Sequence, residues 1–307
     1  MEKCPTPLMA IIKIKVSIGV GHLSKIAVSL FKLISICFDA LNLQNFKLDV
    51  LDRKIRVGAV NYLNTKPLIY GFKHGGLKDE VDLIVEYPSK IAEMLKENQI
   101  DVGLVPVSII PELKEHYIIS DYCIGCDGEV GSVCLFSEVP LQKIERVLLD
   151  YQSRTSVDLL KILIRQYWKI APAFISTFED YRKDISGTTA GLVIGDRALE
   201  QRKISTYKYD LGLEWKKFTG LPFVFAAWIS NKKLDQSFIQ NFNKANLTGL
   251  EQIENVVNEN PYKLFDMKSY YTSYINYFLD EKARNGLHLF LDILNTENTH
   301  IPSYPGI

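Results

Sequence analysis

From Lys54 onward the chain alternates short apolar runs with amphipathic stretches. Ile55-Arg56-Val57-Gly58-Ala59-Val60 reads as a buried strand, followed by a polar turn and a short apolar helix from Pro67 to Phe72. Val81 to Tyr87 predicts the next strand. Pro88 and Ser89 then open a helix over Lys90 to Asn98, with Ile91, Met94 and Leu95 on one face. Val102-Gly103-Leu104-Val105 is apolar on both faces, as a strand in a covered sheet requires. Gly131 to Phe136 and Val147 to Leu149 predict further strands. The second of these opens a new series: a helix after Ser156, then Ala173-Phe174-Ile175, then Ala190 to Ile194. Phe223 to Ile229 returns as a strand rich in bulky apolar residues. Helical faces built from Ile253, Val256 and Val257, from Tyr271, Ile275 and Phe278, and from Leu287, Phe290, Leu291 and Leu294 complete the pattern.

Strands alternating with helices predict an α/β fold with a largely parallel sheet. The order suggests two lobes, residues 54–140 with 212–307 forming one and residues 141–211 the other. Ligands in such proteins lie in the cleft between lobes, outside the carboxyl ends of the strands. Residues 1–53 stand apart as an N-terminal extension. Ile26 to Leu41 is mostly apolar but carries Lys32 and Asp39, so it makes a poor membrane span, and no stable membrane insertion is expected. Lys13 and Lys15 interrupt the earlier apolar run, and no secretory cleavage signal follows a clean apolar core. The segment reads as an amphipathic accessory helix or as a translated upstream region. The second is favoured, because the first well-formed element begins at Lys54.

Composition changes the picture in two ways. Lys+Arg and Asp+Glu balance at 36 each, so nothing draws the chain as a whole toward nucleic acid. Any anion it binds must be held by local donors. Five cysteines, an odd number in 307 residues, argue against a disulfide framework and fit a reducing, cytoplasmic setting. Cys123 and Cys126 form a C-x-x-C, but Gly125, Asp127 and Gly128 make that stretch a turn and no second pair completes a zinc site. His22, His74, His116, His288 and His300 show no metal-ligand spacing, and Gly19-Val20-Gly21 lacks the third glycine of a dinucleotide fingerprint. There is no P-loop and no nucleophile elbow. No metal or organic cofactor is expected.

Four loops would face the cleft. Ser153-Arg154-Thr155-Ser156 joins a strand to a helix, and free N–H groups, the helix dipole and hydroxyls together suit a carboxylate or phosphate. The plainer alternative is that Ser153 or Thr155 caps the helix. Asn64, in Asn61-Tyr62-Leu63-Asn64-Thr65-Lys66-Pro67, can donate and accept at once, or can serve as an N-cap. The glycines of Gly125 to Ser132 allow close approach to a ligand, with Ser132 at the mouth of the next strand, although the stretch also reads as a turn-rich crossover. Asp196, in Gly195-Asp196-Arg197, either meets a ligand or caps the helix that follows.

Six motifs in order carry a resemblance. They are Val57 to Asn64, Gly125-Cys126-Asp127-Gly128, Ser153 to Val157, Ile194-Gly195-Asp196, Asp210-Leu211-Gly212-Leu213-Glu214-Trp215, and the long Thr219 to Trp228. In this order, from Lys54 to about Leu294, the chain resembles the menaquinone-pathway chorismate dehydratases (MqnA type) of the futalosine route. The resemblance implies a two-lobed fold of the type II periplasmic-binding-protein kind, turned into a cytoplasmic enzyme that needs no metal or organic cofactor. It implies chorismate as substrate, 3-[(1-carboxyvinyl)oxy]benzoate and water as products, and the substrate's own enolpyruvyl carboxylate as acceptor of the ring proton. It places Asn64 and Ser132 at the family's two active-site positions, and the segment Ser153, Arg154, Thr155 and Ser156 where a substrate carboxylate is held. Two other readings remain in view: the sister 1,4-dihydroxy-6-naphthoate synthase, which relies on a histidine, and a solute-binding protein for a small organic anion.

Overall fold

Residues 54–299 are described by the computed structural model, and they are built around two sheets. The extension expected over residues 1–53, with its apolar stretch and its Gly-x-Gly, lies outside the described residues. In chain order the strands are β1 (Ile55–Val60), β2 (Val81–Glu86), β3 (Val102–Pro106), β4 (Tyr117–Cys126), β5 (Val133–Ser137) and β6 (Arg146–Leu149). They continue as β7 (Ala173–Ser176), β8 (Thr189–Ile194), β9 (Tyr207–Asp210), β10 (Phe223–Ser230) and β11 (Asn276–Phe278). The first sheet runs β11-β4-β10-β3-β1-β2 and the second β7-β6-β8-β5-β9.

Both sheets are mixed rather than largely parallel. β1 pairs in parallel with β2 and β3, whereas β10 runs antiparallel to β3 and β4. In the second sheet β6 is parallel to β7 and β8, and β5 is antiparallel to β8 and β9. The antiparallel strands are those that carry the chain from one sheet to the other and back. β4 ends the first visit to the first sheet and β5 already belongs to the second, so the crossover falls between Cys126 and Val133, not near residue 140. Cys123 and Cys126 lie inside β4, not in a turn, and burial pushes both thiols up.

The elements follow from local chemistry. β10, Phe-Val-Phe-Ala-Ala-Trp-Ile-Ser, is buried at every position because it has partners on both edges and cover on both faces. Helices α1 (Lys66–His74) and α2 (Pro88–Lys96) each start with proline in the first turn, where a missing N–H costs nothing. α3 spans Thr155–Ile162 and α4 spans Asp196–Gln201. In α5 (Leu211–Thr219), Asp210 accepts from the N–H groups of Gly212 and Leu213 at the start, and Gly220 ends the helix at φ 76°. Tyr271, Ile275 and Phe278 do not form the expected helical face: a π-helical turn over Tyr270–Tyr274 leads directly into β11. The main apolar core is shared by both sheets, and a smaller cluster that includes Phe136, Leu148 and Val193 belongs to the second sheet. Among the described residues no helix is long and apolar enough to cross a membrane.

Candidate active site

The carboxyl ends of β1, β3, β6 and β8 converge on a small cavity whose walls include Tyr62, Asn64, Ser153, Thr155, Ser156 and Gly195. Val60, Pro106, Val130, Val133, Phe225 and Ala226 supply its apolar surface. Its volume is about 60 Å³, well below the roughly 300–1,000 Å³ of ligand pockets. As the walls stand, the space is too small for a ring-sized ligand. Tyr62 is the one ionisable side chain among the described residues of the wall, leaving serine, threonine and asparagine as its neutral polar side chains. Burial, and then the Asp150 charge, push the Tyr62 phenol far above its ordinary value, so it stays neutral.

The hydroxyl-rich segment caps the helix and also borders the cavity. Ser153 Oγ accepts from the Ser156 N–H at 3.2 Å, the geometry of a cap, yet Ser153, Thr155 and Ser156 all line the cavity. Thr155 Oγ1 also accepts from the Ser108 N–H at 3.2 Å, joining the start of α3 to the segment after β3. Arg154 is not part of the wall. Its guanidinium turns to Glu112, with Nη1 donating to Oε2 at 3.3 Å and Nη2 paired to Oε1. A half-exposed arginine next to a carboxylate is neutralised there and is not aimed at the cavity.

Asn64 borders the cavity from the turn after β1. Thr65 Oγ1 lies 3.4 Å from its Oδ1, and Tyr277 donates its phenol to the Asn64 backbone carbonyl at 2.8 Å. Asp196 does not line the cavity; its Oδ1 instead accepts the Leu63 N–H at 3.2 Å, fastening the end of β8 to the turn that carries Asn64. Burial pushes the Asp196 carboxyl up, partly offset by the Leu63 N–H. Beside it, Gly195 adopts φ 63°, and a Cβ there would stand 3.2 Å from the Tyr62 ring. The backbone conformation calls for glycine, and the nearby ring leaves a side chain little room.

Ser132 is wholly buried, one step behind Val130 and Val133. Its N–H donates to the Val130 carbonyl at 2.9 Å, and its own carbonyl accepts from Gly195 at 2.8 Å. Tyr270 donates its phenol to Ser132 Oγ at 2.7 Å. The segment from Tyr262 to Tyr277 thus rings the site: Tyr262 meets the Asp196 carbonyl at 3.3 Å, Tyr270 meets Ser132, and Tyr277 meets Asn64. Sequence reasoning missed these tyrosines, although five of them within sixteen residues (Tyr262, Tyr270, Tyr271, Tyr274 and Tyr277) were visible.

A second missed cluster begins at the cavity wall, with Tyr62. Tyr62 donates to Gln152 Oε1 at 2.5 Å, the same oxygen that receives Arg197 Nη2 at 3.1 Å. Arg197 Nη2 also pairs with buried Asp150 at 3.0 and 2.9 Å, and Tyr181 donates to Asp150 Oδ2 at 3.0 Å. The carboxylate is satisfied by several donors, as a buried charge must be.

The chain matches the family described as menaquinone biosynthesis over residues 55–296. It is 25% identical over 261 residues to a chorismate dehydratase of Thermus thermophilus, covering 78% of this chain and 94% of that relative. A chorismate dehydratase of Campylobacter jejuni is 26% identical over 242 residues, covering 76% and 95% respectively. Among solved structures, a protein of Archaeoglobus fulgidus superposes with a TM-score of 0.64 at 15% identity, covering 81% of this chain and 98% of that one. The periplasmic aliphatic sulphonate-binding protein of Escherichia coli gives a TM-score of 0.54 at 15% identity, covering 82% and 94%. Those structures bear on architecture alone, and the architecture is the two-sheet periplasmic-binding-protein-like α/β fold.

Proposed function

The chain belongs to the menaquinone-biosynthesis family of the MqnA type, and on that premise we propose that it is a chorismate dehydratase. It would eliminate water from chorismate to give 3-[(1-carboxyvinyl)oxy]benzoate. The observation that carries this reading is the match to two chorismate dehydratases over 94% and 95% of their own lengths. The make-up of the cavity supports it. Chorismate is a dianion, and neutral donors without opposing carboxylates suit it; each charge-assisted hydrogen bond contributes about 1.5–3 kcal/mol.

In the reaction a ring C–H bond breaks and its electron pair forms the new ring double bond. The C–O bond of the ring hydroxyl breaks in turn, and the proton and hydroxide leave as water. The ring becomes aromatic, so the step is downhill. No side chain in the described wall titrates near neutral pH in a way that suits a base. As the family resemblance implies, we assign the proton to the substrate's own enolpyruvyl carboxylate, held in place by the enzyme. Asn64 and Ser132 then orient the substrate and stabilise developing charge, while the tip of α3 holds a carboxylate. Residues 54–126 and 223–299 would form one lobe and 133–210 the other, parting to admit the ring.

The test is to incubate the purified chain with chorismate and follow both substrate loss and the aromatic product by liquid chromatography and mass spectrometry. Equal amounts consumed and formed are expected. Binding without turnover would replace this reading with that of a solute-binding protein. Conversion of a cyclic futalosine derivative in place of chorismate would point to the sister naphthoate synthase.

A further inference from the structure

We propose that Tyr270 is a positioning residue that sets the direction of the Ser132 hydroxyl proton. The inference rests on the reading of Ser132 as an active-site residue. The two oxygens lie 2.7 Å apart, with Ser132 at 0% exposure and Tyr270 at 1%. Two hydroxyls at that distance share one hydrogen bond, and only one proton can lie between them. A phenol is the more acidic partner and the better donor, and an aliphatic hydroxyl oxygen is the better acceptor. The Tyr270 ring packs among Phe265, Tyr271 and Tyr274, with centroids 5.9, 5.8 and 6.5 Å away. That packing holds the ring in place and so fixes where the phenol oxygen sits. With Tyr270 donating, the Ser132 proton points away from Tyr270.

Nothing else about Ser132 is free to turn. Its backbone is bound at both ends, to Val130 and Gly195. The preceding Gly131, at φ 76°, has its N–H held by Asp210 Oδ2 at 2.8 Å. The hydroxyl rotor is therefore the remaining degree of freedom, and Tyr270 fixes it. Such a donor also polarises the hydroxyl it binds, strengthening the bond that hydroxyl makes in turn. Tyr270 reaches this place because Asp266 caps the preceding turn, accepting from Lys268 and Ser269, and the π-helical turn that follows swings the ring toward β5.

Tyr270→Phe keeps the ring and removes only the donor. On the native background it is expected to lower kcat about tenfold with KM changed by less than about twofold. In a Ser132→Ala background the same substitution should change kcat by less than about twofold, because the group it acts through is gone. Equal losses in the two backgrounds, or no loss in the native one, would overturn the proposal. Should Tyr270→Phe not yield folded protein, 3-fluorotyrosine at position 270 offers a more acidic phenol of nearly the same shape. It should alter kcat with Ser132 present and leave it unaltered with Ser132→Ala; no change in either background counts against the proposal. Absence of chorismate turnover in the unsubstituted chain sinks the functional reading and this inference together, whereas normal turnover with an indifferent Tyr270 sinks the inference alone.

Discussion

Asp210 accepts the backbone N–H of Gly131 at 2.8 Å and so ties together the two stretches where the chain passes between sheets. Its Oδ1 takes the Val130 N–H at 3.0 Å on the outgoing crossover and those of Gly212 and Leu213 on the returning one. Arg202 Nη1 lies 3.4 Å from its Oδ2. Asp210→Ala would leave three buried N–H groups, a fourth that is partly buried and part of a guanidinium without their acceptor. We expect a loss of about 3–5 kcal/mol in urea unfolding, the scale for breaking a buried charged network. Asp210→Asn keeps one acceptor and should lose less. Equal stability of Asp210→Ala and the native chain would show that the crossovers are held by other means.

Asn64 borders the cavity and Ser132 lies buried behind its Val130 and Val133 wall, and each is fastened by a tyrosine from the same segment. Asn64→Ala and Ser132→Ala should each lower kcat by about 10²-fold or more, as removal of a donor at a site of developing charge does. Far-ultraviolet circular dichroism and the thermal midpoint should stay near native for Asn64→Ala, whose side chain makes one long contact, 3.4 Å, within the protein. Near-normal turnover in either variant would remove that residue from the mechanism.

The strands that bind the cleft were legible because burial on both faces leaves an unmistakable apolar run, as in β1, β3, β8 and β10. β4 was not read, because Asp121 interrupts it and its last residues, Gly125-Cys126, look like a turn. The sheet to which β5 belongs could not be read either: pairing with β8 and β9 is a tertiary fact with no local signature. At the site, Asn64 and the hydroxyls of Ser153, Thr155 and Ser156 reached the cavity as their loop positions implied. Arg154, Asp196 and Ser132 did not, because each found a partner, Glu112, the Leu63 N–H and the Tyr270 phenol, supplied by segments distant in sequence. The tyrosine arc escaped notice for a simpler reason, since helical spacing of Tyr271, Ile275 and Phe278 imitates a core face.

Glu112 joins the first sheet's connection to Arg154 and Lys96. Burial raises its carboxyl, but hydrogen bonds from Lys96 and Arg154 outweigh this and hold it below the usual carboxylate range. A folded-state value below the unfolded one gives a contribution fully present above the unfolded value of about 4.3, and lost as pH falls through the folded one. Being half exposed, the pair should contribute about 1 kcal/mol or less. Urea unfolding of Glu112→Gln should therefore show a small deficit at pH 7 that disappears in acid. A deficit that persists once the carboxylate is protonated would mean that Glu112 acts through packing.

Tyr271 presents the opposite case, a phenol with 2% exposure whose oxygen has no hydrogen-bond partner. Burial, and then the charge of Asp196, push it far above its ordinary value, so it keeps its proton and lacks an acceptor for it. Leaving a buried donor unmet costs about 1–3 kcal/mol. Tyr271→Phe should accordingly raise stability by about 1 kcal/mol, moving the urea midpoint upward. Tyr271 adjoins Tyr270, the partner of Ser132, and an unmet buried donor in that segment carries a cost that function explains better than folding does. We therefore expect the same variant to raise the KM for chorismate several-fold while kcat changes less, the mark of a donor that meets the ligand once the walls part. A more stable variant with unaltered KM would leave the phenol as an unrelieved defect of packing, with no part in binding.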